Sequence, residues 1–218
     1  MTATESAPDD VLALDGIVSV SRETAERLER FVALLKKWQA ADNLVAAGTL
    51  RMVWRRHIAD SAQLVSLFPE TRQWLDLGSG AGFPGLVTAI LLADTPGARV
   101  HLVESNVRKC AFLRQAIRET GAAAEVRQGR IEAVLADWSE PIERISARGL
   151  ASLDRLFALS EPVLAAGAAG AFHKGQDYRR EIEESAQAWD FDLVIYPSKT
   201  ESRSAILDVS NIKRKGST

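Results

Sequence analysis

Cysteine is almost missing from this chain. Cys110 stands alone in 218 residues, so no internal disulfide can form, which suits the cytosol. Long apolar runs are missing as well: no stretch is long enough to span a bilayer, and no basic segment followed by an apolar one marks the start. These absences predict a cytoplasmic protein with no membrane partner. Charge of one sign is lacking too, with 27 Lys and Arg against 29 Asp and Glu, so the molecule as a whole is no obvious nucleic-acid binder. Residues 1–20 carry Glu5, Asp9, Asp10 and Asp15 with no basic residue, which leaves the body near neutral and makes any basic face local. That acidic stretch is expected to be poorly ordered. Internal repeats and long linkers are absent. His57, His101 and His173 are too scattered along the chain to suggest a metal site, and none is expected.

What is present is organised around Gln73 to Gly85, QWLDLGSGAGFPG. Trp74-Leu75-Asp76-Leu77 reads as a short buried strand. Gly78, Gly80 and Gly82 break it into a tight turn before the apolar run Leu86 to Leu92. Glycines at alternate positions permit positive φ and remove the Cβ atoms that would keep a ligand off the backbone. Pro84 falls where a helix starts, and there its missing N–H costs nothing.

Two cofactors compete for this loop. Gly80-Ala81-Gly82-Phe83-Pro84-Gly85 satisfies the dinucleotide fingerprint, and Glu104 follows about 20 residues later at the end of a second apolar strand. An S-adenosylmethionine loop uses the same parts, with the acid of the second strand taking both ribose hydroxyls. Asp76 favours that second reading: a carboxylate there helps hold the methionine ammonium, whereas beside a pyrophosphate it adds repulsion.

Along the rest of the chain, Ser21 reads as an N-cap, and Leu28, Phe31, Val32, Leu35 and Trp38 follow helical spacing. A second helical region from about Thr49 carries Arg51, Arg55, Arg56 and His57. Beyond the loop, strands and helices alternate to Trp189, and two extended apolar segments close the chain. This pattern predicts an α/β fold: a mostly parallel sheet covered on both faces, with an antiparallel edge. The domain division that follows is a poorly ordered segment 1–20, N-terminal helices over 21–70 packed on the core, and a sheet domain over 71–213. Gly78 to Gly82, Glu104, Ile131, Glu132, Arg148 and Lys174 all fall at or just after strand ends, so they should converge on one cleft.

Taken in order, Trp38, Asn43-Leu44, Arg56-His57-Ile58-Ala59-Asp60-Ser61, Asp76 to Gly85, Arg148 with Ala151-Ser152-Leu153, and Lys174-Gly175 resemble the bacterial ribosomal RNA small-subunit methyltransferase G family (RsmG/GidB). The glycine loop alone points only to class I methyltransferases in general; the R-H-I-x-D-S and K-G segments make the resemblance specific. The chain departs from the family pattern at Val45 and Ala147. The resemblance implies a seven-stranded class I methyltransferase sandwich with an N-terminal helical extension. It further implies S-adenosyl-L-methionine as cofactor, 16S ribosomal RNA or the small ribosomal subunit as partner, and methylation of guanine N7 near the decoding region. Carried onto this chain, it places the cofactor at Gly78, Phe83, Ile131, Glu132 and Arg148. The physical argument adds Asp76, Gly80 and Glu104.

Guanine N7 carries a free lone pair, so attack on a sulfonium methyl requires alignment and desolvation but no general base. No N/D-P-P-Y/F segment of the amino-methyltransferase kind is present, and Cys110 lies on a helix rather than in a P-C loop. Arg55, Arg56, His57 and Lys174 are therefore expected to contact phosphate or position the RNA. Neither DNA nor a second protein chain is expected, so the protein should be a monomer. A small-molecule methyltransferase, a nicotinamide oxidoreductase and a non-catalytic ribosome-assembly factor remain as alternatives; for the oxidoreductase no Tyr-x-x-x-Lys pair stands out.

Overall fold

The computed structural model describes residues 9–216. Residues 1–8, part of the stretch expected to be poorly ordered, lie outside the described residues. Residues 9–20 depart from that expectation. Val11–Leu14 form a 3-10 turn with Leu14 buried, and the Asp9 carboxylate accepts from the backbone N–H groups of Trp54 and Arg55 at 3.1 and 3.0 Å. An apolar anchor and a carboxylate spent on orphan amides hold a segment that its acidity alone marks as loose.

Helix α1 (Arg22–Asp42) begins where Ser21 accepts from the Thr24 N–H at 3.1 Å and ends at Asn43 in the left-handed conformation. Its apolar stripe buries Leu28, Phe31 and Leu35, contributing about 2 kcal/mol each. The region expected to be one helix from Thr49 is a succession instead. A 3-10 segment (Ala47–Met52) passes into a wider π-type coil (Trp54–Ala59) and then into α2 (Asp60–Leu67). Such widened turns re-aim side chains, and this one carries Arg55, Arg56 and His57.

The sheet comprises β1 (Gln73–Leu77), β2 (Arg99–Glu104), β3 (Ala124–Gln128), β4 (Arg144–Arg148), β5 (Ala169–Lys174), β6 (Trp189–Pro197) and β7 (Ala205–Arg214). Their spatial order is β3-β2-β1-β4-β5-β7-β6, with β7 antiparallel to both neighbours and the other pairs parallel. The connecting helices are α3 (Gly85–Leu91), α4 (Val107–Thr120), α5 (Ile131–Ala136), α6 (Leu153–Ala165) and α7 (Tyr178–Ala188). Strand alternation divides the core in two. Trp74, Val100 and Leu102 pack with α1, α3 and α4, while Leu75, Leu77, Val103 and Ile145 pack with α6 and Trp189. The order of strands reverses between β1 and β4, so the crevice for ligands opens beyond their carboxyl ends.

Candidate active site

The loop after β1 is built as its glycines require. Gly78, Gly80 and Gly82 have φ of 64°, 54° and 92°, a region that side chains disfavour. A Cβ on Gly78 would lie 2.7 Å from a methyl carbon of Leu150, so the loop after β4 closes directly over it. Glu104, at the end of β2, braces the glycine loop after β1. Its Oε2 accepts from the Gly80 N–H at 2.9 Å, and its Oε1 from the Asn106 N–H at 2.7 Å.

Gly78, Gly80, Glu104, Ile131 and Glu132 line one cleft of about 400 Å³, as the strand-end argument expects. Its size falls within the usual range of cofactor sites. Sequence reasoning missed Ser105, Lys109, Leu150 and Arg155 on its walls. The signal was available for two of them: Ser105 directly follows β2, and Leu150 lies two residues past β4. Arg155 was not legible, because it reaches the cleft by pairing with Glu132 at 2.6 Å across it.

Asp76, Phe83 and Arg148 are not among the residues that line this cleft. Period two along β1 turns Asp76 to the same face as Trp74, under the first residue of α3. There it is fully buried and its Oδ1 accepts from Ser146 Oγ at 2.7 Å. Burial pushes its carboxyl up to about 6, against the pull of that hydrogen bond. Phe83 is buried with its ring stacked on His57 at 4.8 Å between centroids. The guanidinium of Arg148 lies 5.2 Å from the Phe83 centroid and turns toward Asp60, at 3.0 Å.

Arg148 belongs to a second cavity, of about 290 Å³, that meets the first at Gly149. Arg56, His57, Asp60, His173 and Lys174 line it. Two of the three scattered histidines therefore come together in space. Hydrogen bonding fixes the form of His57. An Arg148 N–H can only donate, so Nδ1 accepts at 2.7 Å; Nε2 then carries the proton and donates to Thr49 Oγ1 at 2.8 Å, whose hydroxyl donates in turn to the Ala46 carbonyl. Burial, with the Arg148 charge, lowers the His57 pKa to about 4. Asp60 stays below the usual carboxylate range. Its burial acts upward, but His173, Arg148 and the Thr200 hydroxyl outweigh it. Burial likewise keeps His173 below its ordinary value, with Nε2 against the Asp60 carbonyl at 3.0 Å.

Of the phosphate or positioning roles expected for His57 and Lys174, these geometries favour positioning. His57 is neutral and cannot serve as a cation. Lys174 is buried, with its ammonium on the Ala151 carbonyl at 2.8 Å and on Glu181 at 2.5 Å. Arg56 is exposed and pairs with Glu201 at 2.6 Å. One trio among the described residues, His101, Glu125 and Glu140, has ligand atoms close enough for a metal ion. Arg127, however, pairs with both carboxylates and already neutralises them.

A pH dependence follows from the neutral imidazole. The folded pKa of His57 lies below the unfolded value, so its contribution is complete above about pH 6.5 and is lost as pH falls toward 4. Discounted for partial exposure, that amounts to about 2 kcal/mol. The stability difference between wild type and His57→Gln in urea unfolding should shrink by this amount between pH 7 and pH 4.5. A His57 NMR titration midpoint near 6.5 would contradict it.

A sequence profile of the family described as rRNA small subunit methyltransferase G matches residues 24–206. A ribosomal RNA small subunit methyltransferase G of Rhizobium johnstonii is 49% identical, over 93% of this chain and 99% of that one. The protein of the same name from a Bradyrhizobium species is 47% identical, over 95% and 93% of the two chains. Among solved structures, an O-methyltransferase from Bacillus cereus in complex with SAH superposes with a TM-score of 0.57, at 16% identity, over 93% of this chain and 96% of its own. A second O-methyltransferase, from Klebsiella pneumoniae, gives 0.58 at 12% identity with the same coverage. At that identity the likeness is one of fold.

Proposed function

The chain belongs to the rRNA small subunit methyltransferase G family, and from that premise we propose that it methylates N7 of one guanine of 16S ribosomal RNA, near the decoding region. The methyl donor is S-adenosyl-L-methionine. The observation that carries the proposal is the pair of cavities meeting at Gly149, one lined by the glycine loop and Glu104, the other by polar and charged side chains.

The residues of the first cavity suit the cofactor. Positive-φ glycines admit a ligand close to the backbone, and a carboxylate at the end of β2 stands where two ribose hydroxyls need an acceptor. Gly78, Gly80, Glu104, Ile131 and Glu132 would hold it, with Phe83 and Arg148 at the seam toward the second cavity. Bound there, it supplies a sulfonium methyl group. Transfer of that methyl to the free lone pair of guanine N7 would need no proton removed beforehand. The protein removes no proton in that step, and the second cavity agrees: His57 is held neutral by burial, and Asp60 is spent on Arg148 and Thr200. What these residues contribute is alignment of the two reactants and exclusion of water.

Acting on ribosomal RNA suits a cytoplasmic monomer, and no described helix is long and apolar enough to cross a membrane. The test is transfer from labelled S-adenosylmethionine to small subunits lacking the modification, with nuclease digestion and mass spectrometry of the product. One 7-methylguanosine is expected. Methylation of free nucleosides without RNA would replace this reading with a small-molecule methyltransferase, and retention of NADH with no methyl transfer would replace it with an oxidoreductase.

A further inference from the structure

Beside the second cavity lies a third, of about 720 Å³, which shares Thr200 with it. Its walls come from three separated parts of the chain: the turn after Asp9, the 3-10 and π-type segments, and the β6–β7 connection. Leu12, Ile17 and Met52 give it apolar surface, and Leu12 and Met52 are 59% and 45% exposed. Arg51, Arg55 and Lys199 give it charge. All three are exposed and form no ion pair among the described residues, in contrast to Arg56, Arg148 and Lys174 next door. Two acids line the same cavity, Asp9 and Asp15. Both oxygens of Asp9 are already taken by the backbone amides of Trp54 and Arg55, and Asp15 is the one exposed carboxylate left facing three cations. Lys199 spends a single donor, on the Gly16 carbonyl at 2.9 Å, and keeps two.

We propose that this groove binds the nucleotide next to the target guanine in the RNA strand: Arg51, Arg55 and Lys199 take its phosphate, and the Leu12–Met52 surface takes its base. The inference rests on the function proposed above and adds a subsite to it. Cations that track a backbone beside apolar surface that accepts a base are the two components of single-strand recognition. Continuity with the target cavity at Thr200 gives the strand a path from one to the next. The catalytic cavity itself offers no uncommitted cation for that phosphate, since His57 is neutral and its other positive groups are paired within the protein.

The experiment compares wild type with the double variant Arg51→Gln, Arg55→Gln and, separately, with Leu12→Ser. It measures KM for unmodified small subunits at several KCl concentrations, affinity for isolated 16S RNA, and affinity for S-adenosylmethionine. Loss of two of the three cations on that phosphate should raise KM about tenfold near physiological salt and flatten the slope of log affinity against log salt by about 0.7. Leu12→Ser removes apolar surface without adding charge, so it should raise KM without flattening the slope. Cofactor affinity unchanged in every variant identifies these as effects on RNA rather than on folding. An unchanged KM and slope, with wild type active, would overturn the groove assignment alone. Weakening on assembled subunits but not on isolated 16S RNA would also overturn it, assigning the groove to a ribosomal protein. Absence of methyl transfer by wild type would overturn the functional reading, and the subsite with it.

Discussion

Replacing Glu104 with alanine should weaken S-adenosylmethionine binding about a hundredfold, as measured by calorimetry. The carboxylate is nearly buried at the end of β2 and already accepts from the Gly80 and Asn106 amides at 2.9 and 2.7 Å. Two hydrogen bonds from ribose hydroxyls to a charged acceptor contribute about 3 kcal/mol together, which converts to that factor. Glu104→Gln keeps the shape but removes the charge and presents one donor to two hydroxyls, so it should recover only part of the loss. Thermal unfolding separates the two roles of the side chain. The bond to Gly80 positions the loop even without ligand, so alanine should also lower Tm by a few degrees, about 1 kcal/mol. A change in cofactor affinity below threefold, with the fold intact, would remove Glu104 from the site.

The second large effect concerns stability. Gly85→Ala should destabilise the protein by about 3 kcal/mol and lower Tm by roughly 6–12 °C. Gly85 opens α3 directly above Asp76, and a Cβ there would stand 2.5 Å from the Cβ, Cγ and Oδ2 of that side chain. Asp76 cannot move aside: it is fully buried within the sheet and bonded to Ser146 on the neighbouring strand. The backbone conformation of Gly85 is ordinary, so the penalty is one of contact rather than of φ. Gly48→Ala is the control, because a Cβ at Gly48 meets nothing within 4 Å. Equal unfolding midpoints for the two variants would show that the α3–β1 contact yields more readily than its geometry implies.

Part of this molecule was determined by the sequence alone. Ser21, Asn106 and Ser152 cap the helices they precede, the alternation of apolar strands and helices dictates the layered sheet, and the strand-glycine-helix passage places a ligand loop after β1. All of these are local: each depends on residues within a turn or two of one another, so their physics is written in adjacent letters. Gly78, Gly80 and Glu104 were legible because each lies at or just after a strand end, and such ends of a parallel sheet meet at one edge; Ile131 and Glu132, which open α5 just past β3, share that place but were singled out by the family resemblance.

Direction and charge state were decided only by the tertiary structure. Asp76 occupies the motif position of a cofactor ligand, yet strand alternation turns it under α3 and burial raises its pKa. Arg148 follows the strand-end rule, but its side chain goes to Asp60 and His57, 88 and 91 residues away, because a buried carboxylate requires a cation and this one is in reach. His57 belongs to a basic run in the sequence and is neutral in the fold, since a guanidinium on one nitrogen and burial around the ring both oppose its protonation. Residues 9–20 read as a loose acidic end until Leu14 finds the core and Asp9 finds two free amides. For Arg148, His57 and residues 9–20 the deciding partner lies far along the chain, so the composition and spacing of the segment itself carry no trace of it.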